Sequence, residues 1–75
     1  MGELLSILHE IRPEIDFENE TKLIDDGLLD SFDIISIVGE LNEHFDIEIN
    51  VEDLEPNNFN SVKAMMNLIT RLQNE

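Results

Sequence analysis

His9 and His44 are the only imidazoles in this chain, and it has no cysteine. Nucleophilic catalysis needs a serine or thiol beside a base. Neither histidine has a sequence context that places it next to a serine, so both read as solvent-facing helix residues. The lack of cysteine excludes disulfides, a thiol nucleophile and thiolate-based zinc sites. Carboxylates abound, with 18 Asp and Glu against 4 Lys and Arg, but abundance does not single out a paired acid and base. Asp25, Asp26, Asp30 and Asp33 around Gly27 invite a calcium reading. The alternating ligands, sixth-position glycine and twelfth-position glutamate of an EF-hand are not met. The residues predict no catalytic centre and no dedicated metal site.

The overall balance narrows the class. With 75 residues and a formal net charge of −14, residues 1–75 make one small domain. Such acidity excludes nucleic-acid binding, which needs clustered Lys and Arg. A hydrophobic fraction of 41% is too high for an acidic disordered tail, so an efficient apolar core must hold the chain together. No apolar run approaches transmembrane length, and no basic segment leads into one at the N-terminus. A cytoplasmic monomer without membrane insertion is expected. Residues 1–6 fit a loose myristoylation pattern, and Asn19-Glu20-Thr21 is a glycosylation sequon. Both patterns are common by chance and read here as helix start and loop.

Leu4, Leu5, Ile7, Leu8 and Ile11 recur at helical spacing, predicting a helix over 3–12 that Pro13 ends. Residues 13–29 show no sustained period. There Ile15, Phe17, Leu23, Ile24, Leu28 and Leu29 lie among acids, as in a long loop pinned to a core. A second helix is predicted from Asp30 to about His44, with Asp30 as N-cap and Asp33 in the first turn. Phe45–Ile49 alternates, but a lone strand has nothing to pair with, so an extended connector is predicted. Asn50-Val51-Glu52-Asp53 reads as the start of a very short third helix. Asn60 or Ser61 caps a fourth, with Val62, Met65, Met66, Ile69 and Leu72 as its buried stripe.

On a wheel of about 100° per residue, Ile34, Ile37, Val38, Leu41 and Phe45 form the core face of the second helix. Asp33, Ser36, Glu40 and Glu43 form an acidic stripe nearly opposite. Phe32 and Ile35 fall between the two faces, next to Ser31, like a docking surface. Because Asp30 supplies the cap, the Ser31 hydroxyl is left facing water. A phosphodiester on that oxygen would sit at the positive end of the helix dipole.

Gly27-Leu28-Leu29-Asp30-Ser31-Phe32, between a long loop and an amphipathic acidic helix, resembles the attachment motif of acyl and peptidyl carrier proteins. The resemblance runs on through residues 41–49, the short helix and Ser61-Val62, and covers nearly the whole chain. It implies an all-α fold, a four-helix bundle of the acyl-carrier type with a short third helix and a long first loop. It also implies a covalent 4′-phosphopantetheine arm on Ser31, next to Asp30, whose thiol holds acyl or aminoacyl groups as thioesters. Leu28 and Phe32 depart from the usual fatty-acid carriers, which have Gly and Leu there. Ser36 and Asn42 likewise stand where those carriers tend to have acids. Gly-Leu-Leu-Asp-Ser and the aromatic Phe59 look closer to D-alanyl carriers and similar discrete carriers served by adenylate-forming ligases.

The expected function is that of a free-standing carrier, not an enzyme. The implied partners are a phosphopantetheinyl transferase, an adenylate-forming ligase or acyltransferase, and a downstream acyl-accepting enzyme. Phe32, Asp33, Ile35, Glu40 and Glu43 are the candidate partner-binding residues. A rival from another class is a cofactor-free acidic interaction module, such as a nucleic-acid mimic. It accounts for the charge but not for an unhindered serine beside an exposed aromatic. Crowded like charges further predict a raised carboxyl pKa around Asp30, hence stability falling as pH rises through the carboxylate range. Self-repulsion predicts a melting temperature that rises with salt.

Overall fold

The apolar residues at helical spacing form α1 (Gly2–Ile11), α2 (Ser31–Phe45) and α4 (Val62–Gln73), with a short α3 (Pro56–Phe59) between the last two. The structure, a computed structural model, describes residues 2–74, and no strand occurs among them. α1 packs on α2 and α4, α2 also meets α4, and α3 lies against α4. This is an all-α, four-helix bundle of the acyl-carrier type. Each long helix turns one stripe inward: Leu4, Ile7 and Leu8 from α1, Ile37 and Leu41 from α2, and Val62, Met65, Leu68 and Ile69 from α4.

The 13–29 segment follows the core closely. Ile15, Phe17, Leu23 and Leu29 are buried, Phe17 to 1% exposure. Burying a side chain of that size contributes about 2–3 kcal/mol, against about 1–2 kcal/mol to order the backbone of one residue. A few such anchors therefore hold a long irregular segment in one path. The radius of gyration, 11.1 Å, is that of a fully packed chain of this length, about 11 Å by the usual scaling.

The segment also contains local structure that periodicity does not reveal. Lys22–Asp26 makes a single helical turn, with Asp26 N–H donating to Lys22 O at 2.8 Å. A Schellman pair closes it: Leu28 N–H to Leu23 O and Gly27 N–H to Ile24 O, both 3.0 Å. The closure requires a left-handed residue, which Gly27 supplies at φ +73°. A Cβ at Gly27 would meet nothing within 4 Å, so the constraint there is backbone conformation rather than space.

The third helix is short, as expected, but lies later than Asn50–Asp53. Val51–Asp53 makes a 3₁₀ turn, and α3 starts only at Pro56. Proline disfavours helical backbone in the residue before it, and Glu55 is extended at φ −95°, ψ 144°. One continuous helix through both pieces is therefore blocked. The connector after α2, residues 47–50, forms neither helix nor strand, and Asn50 at its end is extended. Asp46 ends α2 in the left-handed region, and Asn42 Oδ1 accepts from Ile49 N–H at 2.9 Å. That bond turns Ile49 into the core.

Candidate functional site

Ser31 is the first residue of α2 and is exposed. Asp30, extended at φ −106°, caps the helix. Its Oδ1 accepts from Asp33 N–H at 2.9 Å, and Asp33 Oδ2 accepts from Asp30 N–H at 3.1 Å, a reciprocal capping box. The serine hydroxyl is thus spared the capping role and stands at the positive end of the helix. Phe32 and Ile35 beside it are 81% and 69% exposed, as the wheel predicts. A shallow cleft of about 480 Å³ adjoins Ser31, lined by Ile24, Leu29, Asp30, Ile34, Ile35 and Leu54. A phosphodiester on Ser31 would meet open solvent on one side and this largely apolar wall on the other. The residues present fit a covalently attached arm.

Glu40 and Glu43 lie exposed along α2. Asp33 does not join them. The expected exposed stripe is corrected at this position: Asp33 is only 8% exposed, and Arg12 Nη1 donates to its Oδ2 at 2.5 Å. The wheel registers only the faces of its own helix. Here the chain leaving α1 covers the first turn of α2 and buries a residue that would otherwise face water.

The direction of ionisation at Asp30 is likewise the reverse of the crowding expectation. The N–H of Asp33 does most to hold the Asp30 carboxyl below its ordinary value. Bonding to the Asp33 side chain and Phe32 and the charge of Arg12 add to this, against some desolvation. A lowered folded pKa means that the ionised cap stabilises fully above the unfolded aspartate value, about 3.9. That contribution is lost as pH falls through the folded value. In melting curves across acid pH, Asp30→Asn, which keeps an acceptor but no titrating proton, should show a shallower acid limb than the wild type. Equal slopes would remove Asp30 from the acid response. At neutral pH, salt should still raise the melting temperature, with Mg²⁺ or Ca²⁺ more effective at equal ionic strength. A flat response would show that repulsion is unimportant.

Asn60 was expected only as a possible helix cap. Ser61 takes that role, its Oγ accepting from Ala64 N–H at 3.1 Å. Asn60 instead holds the turn that leads to Ser31. Its Oδ1 accepts from Ile24 N–H at 2.9 Å and Asp25 N–H at 3.1 Å, and its backbone oxygen accepts from Leu23 N–H at 2.9 Å. The side chain acts as an N-cap supplied from 36 residues away. Asn60→Ala should lower stability by about 1–2 kcal/mol, measured by denaturant unfolding, and expose the Ile24 and Asp25 amides to exchange. Protection retained at both amides would contradict this role.

Two exposed apolar residues escaped the sequence reading. Val51 is 86% exposed and Leu54 42%. Asp53 holds their turn in place: its Oδ2 accepts from Asn50 N–H at 3.2 Å and its Oδ1 from Arg71 Nη2 at 3.1 Å. A lone valine between Asn50 and two acids was the available signal. His9 lies against the Phe17 ring at 5.6 Å, and His44, near the far end of α2, approaches Glu3 at 3.4 Å. Both histidines are exposed.

Residues 2–69 match the family described as phosphopantetheine attachment site. Among curated proteins, a D-alanyl carrier protein of Streptococcus mutans is 32% identical over 74 residues, spanning 97% of this chain and 94% of that one. D-alanyl carrier proteins of Bacillus cereus and Bacillus anthracis are each 36% identical over 55 residues, 71% of this chain and 70% of theirs. No solved structure matches the chain. No helix among the described residues is long and apolar enough to cross a membrane. Matched from α1 into α4 and folded as a helical bundle, the chain belongs to the non-catalytic carrier proteins that bear 4′-phosphopantetheine covalently on a serine.

Proposed function

We propose that this chain is a free-standing cytoplasmic carrier, a single domain over residues 1–75, that holds acyl or aminoacyl groups on an arm attached to Ser31. The observation that carries the reading is the placement of Ser31. It is an exposed hydroxyl at the start of a capped helix, beside the exposed Phe32 and Ile35. The arm supplies a thiol, the one reactive sulfur in a chain without cysteine. Asp30 keeps the helix start ordered, and Phe32, Ile35, Glu40 and Glu43 face the partner enzymes. The partners are a phosphopantetheinyl transferase, an adenylate-forming ligase or acyltransferase, and a downstream acceptor enzyme. The similarity to D-alanyl carrier proteins, together with Gly-Leu-Leu-Asp-Ser, supports a small aminoacyl cargo loaded by an adenylate-forming ligase.

Residues 23–62 contain no Lys or Arg but eleven acids. Their field attracts basic partner surfaces and favours fast, salt-sensitive encounters over tight ones. Brief contact suits a carrier that must visit several enzymes in turn. The deciding experiment is intact-mass measurement after incubation with coenzyme A and a broad-specificity transferase. A gain of one phosphopantetheine is expected. An unchanged mass would favour a cofactor-free acidic module.

A further inference from the structure

We infer that Arg12 is a positioning residue for the chemistry at Ser31, acting through the buried carboxylate of Asp33 on the first turn of α2. The inference rests on the reading of Ser31 as the attachment serine.

Among the described residues, Asp33 is the one charged residue that is buried, with its side chain 12% exposed. Its Oδ2 takes two donors, Asp30 N–H at 3.1 Å and Arg12 Nη1 at 2.5 Å. Its own N–H donates to Asp30 Oδ1 at 2.9 Å, and Ile34 N–H donates to Asp30 O at 3.0 Å. These bonds tie the chain on both sides of Ser31 and Phe32. The orientation of the serine therefore depends on whether the Asp33 carboxylate stays in place.

A buried carboxylate is costly unless it is paired and hydrogen-bonded. The motif region cannot supply the partner, since residues 23–62 hold no Lys or Arg. Arg12 comes from 21 residues upstream, just past the end of α1. Its Nε donates to Glu14 Oε2 at 2.6 Å, so Glu14 orients the guanidinium while the other arm of its fork reaches Asp33. Exposed ion pairs usually contribute little. This one differs because its acidic end is buried and shared with a helix cap. Without Arg12, the ionised Asp33 is drawn towards water, and withdrawal of Oδ2 opens the capping box.

A transferase that needs the ordered turn then finds it only part of the time. The apparent affinity falls by the competent fraction, while turnover at saturation is unaffected. The loss should therefore appear in KM and not in kcat.

The test uses the full chain carrying Arg12→Gln, with two readouts. One is amide exchange at Asp30, Asp33 and Ile34, referenced to amides within α1 and α4. The other is steady-state phosphopantetheinylation with coenzyme A and a broad-specificity transferase. Exchange at the three amides should rise about tenfold while the reference amides hold, and KM for the carrier should rise about twofold at unchanged kcat, as for a turn whose closed fraction falls from about nine-tenths to about half. Adding Asp33→Asn to Arg12→Gln should return both readouts towards wild type, because a neutral amide needs no cation and still offers an acceptor. Unchanged exchange at the three amides, an equal rise throughout α1 and α4, or an unchanged KM would each overturn the proposal. If Arg12→Gln does not fold, Arg12→Lys, which keeps the charge but loses the fork, should give intermediate values, and wild-type values there would refute it. The exchange readout does not depend on where the arm is attached. Failure of the Ser31 reading would show separately, as modification surviving in Ser31→Ala.

Discussion

Ser31→Ala should abolish phosphopantetheinylation, from complete conversion of the wild type to no mass gain, while leaving the helical circular dichroism unchanged. The fold should tolerate the substitution because Ser31 is exposed and Asp30 caps α2. A stability change within about 0.5 kcal/mol is expected for such a surface position. Other hydroxyls are less suitably placed. Ser61 spends its oxygen capping α4, and Ser36 lies within α2, away from its positive end. A full mass gain in the alanine variant would mean that another hydroxyl carries the arm and that α2 does not present the cargo.

Reversing charges along α2 should separate two kinds of acid that look alike in sequence. Asp33→Lys should cost about 3 kcal/mol, because it removes the acceptor of the capping box and places a cation against Arg12 in a buried position. For a chain of this size that is a large share of the total stability, and a melting temperature lowered by more than ten degrees is expected. Glu40→Lys and Glu43→Lys should change stability by less than about 0.5 kcal/mol, since both side chains are exposed. Their effect should fall on loading, several-fold slower at low salt and converging with wild type as salt rises. Loading rates at low salt equal to wild type would rule out steering by these residues. A stable Asp33→Lys would show that the carboxylate is not needed in its buried site.

Most of the architecture follows from signals internal to short segments. Leu4, Ile7 and Leu8, or Val62, Met65 and Ile69, mark their helices because the α-helical repeat puts them on one side. Asp30 followed by a run of apolar periodicity marks the start of α2, and the freedom of Ser31 follows from Asp30 holding the cap. The exposure of Phe32 and Ile35 is legible for the same reason, since each lies off the apolar stripe of its own helix. Even the path of the 13–29 segment could be foreseen at Phe17, Leu23 and Leu29, because apolar residues without local partners must find distant ones.

What tertiary structure alone decided lies in contacts between segments far apart in the chain. Asp33 has the same local pattern as Glu40, yet it is buried because Arg12, 21 residues earlier, closes over it. Asn60 reads as a helix cap, yet its side chain holds amides 35 and 36 residues away. The lowered pKa of Asp30 arises from donors that exist only once the first turn of α2 has formed, and these outweigh the like charges visible in the sequence. A hydrogen bond between distant segments requires both backbones to be placed within a few tenths of an ångström by packing elsewhere. Amino-acid sequence by itself determined which hydroxyl stands free at the start of α2; the folded chain decided which residues hold that turn in place.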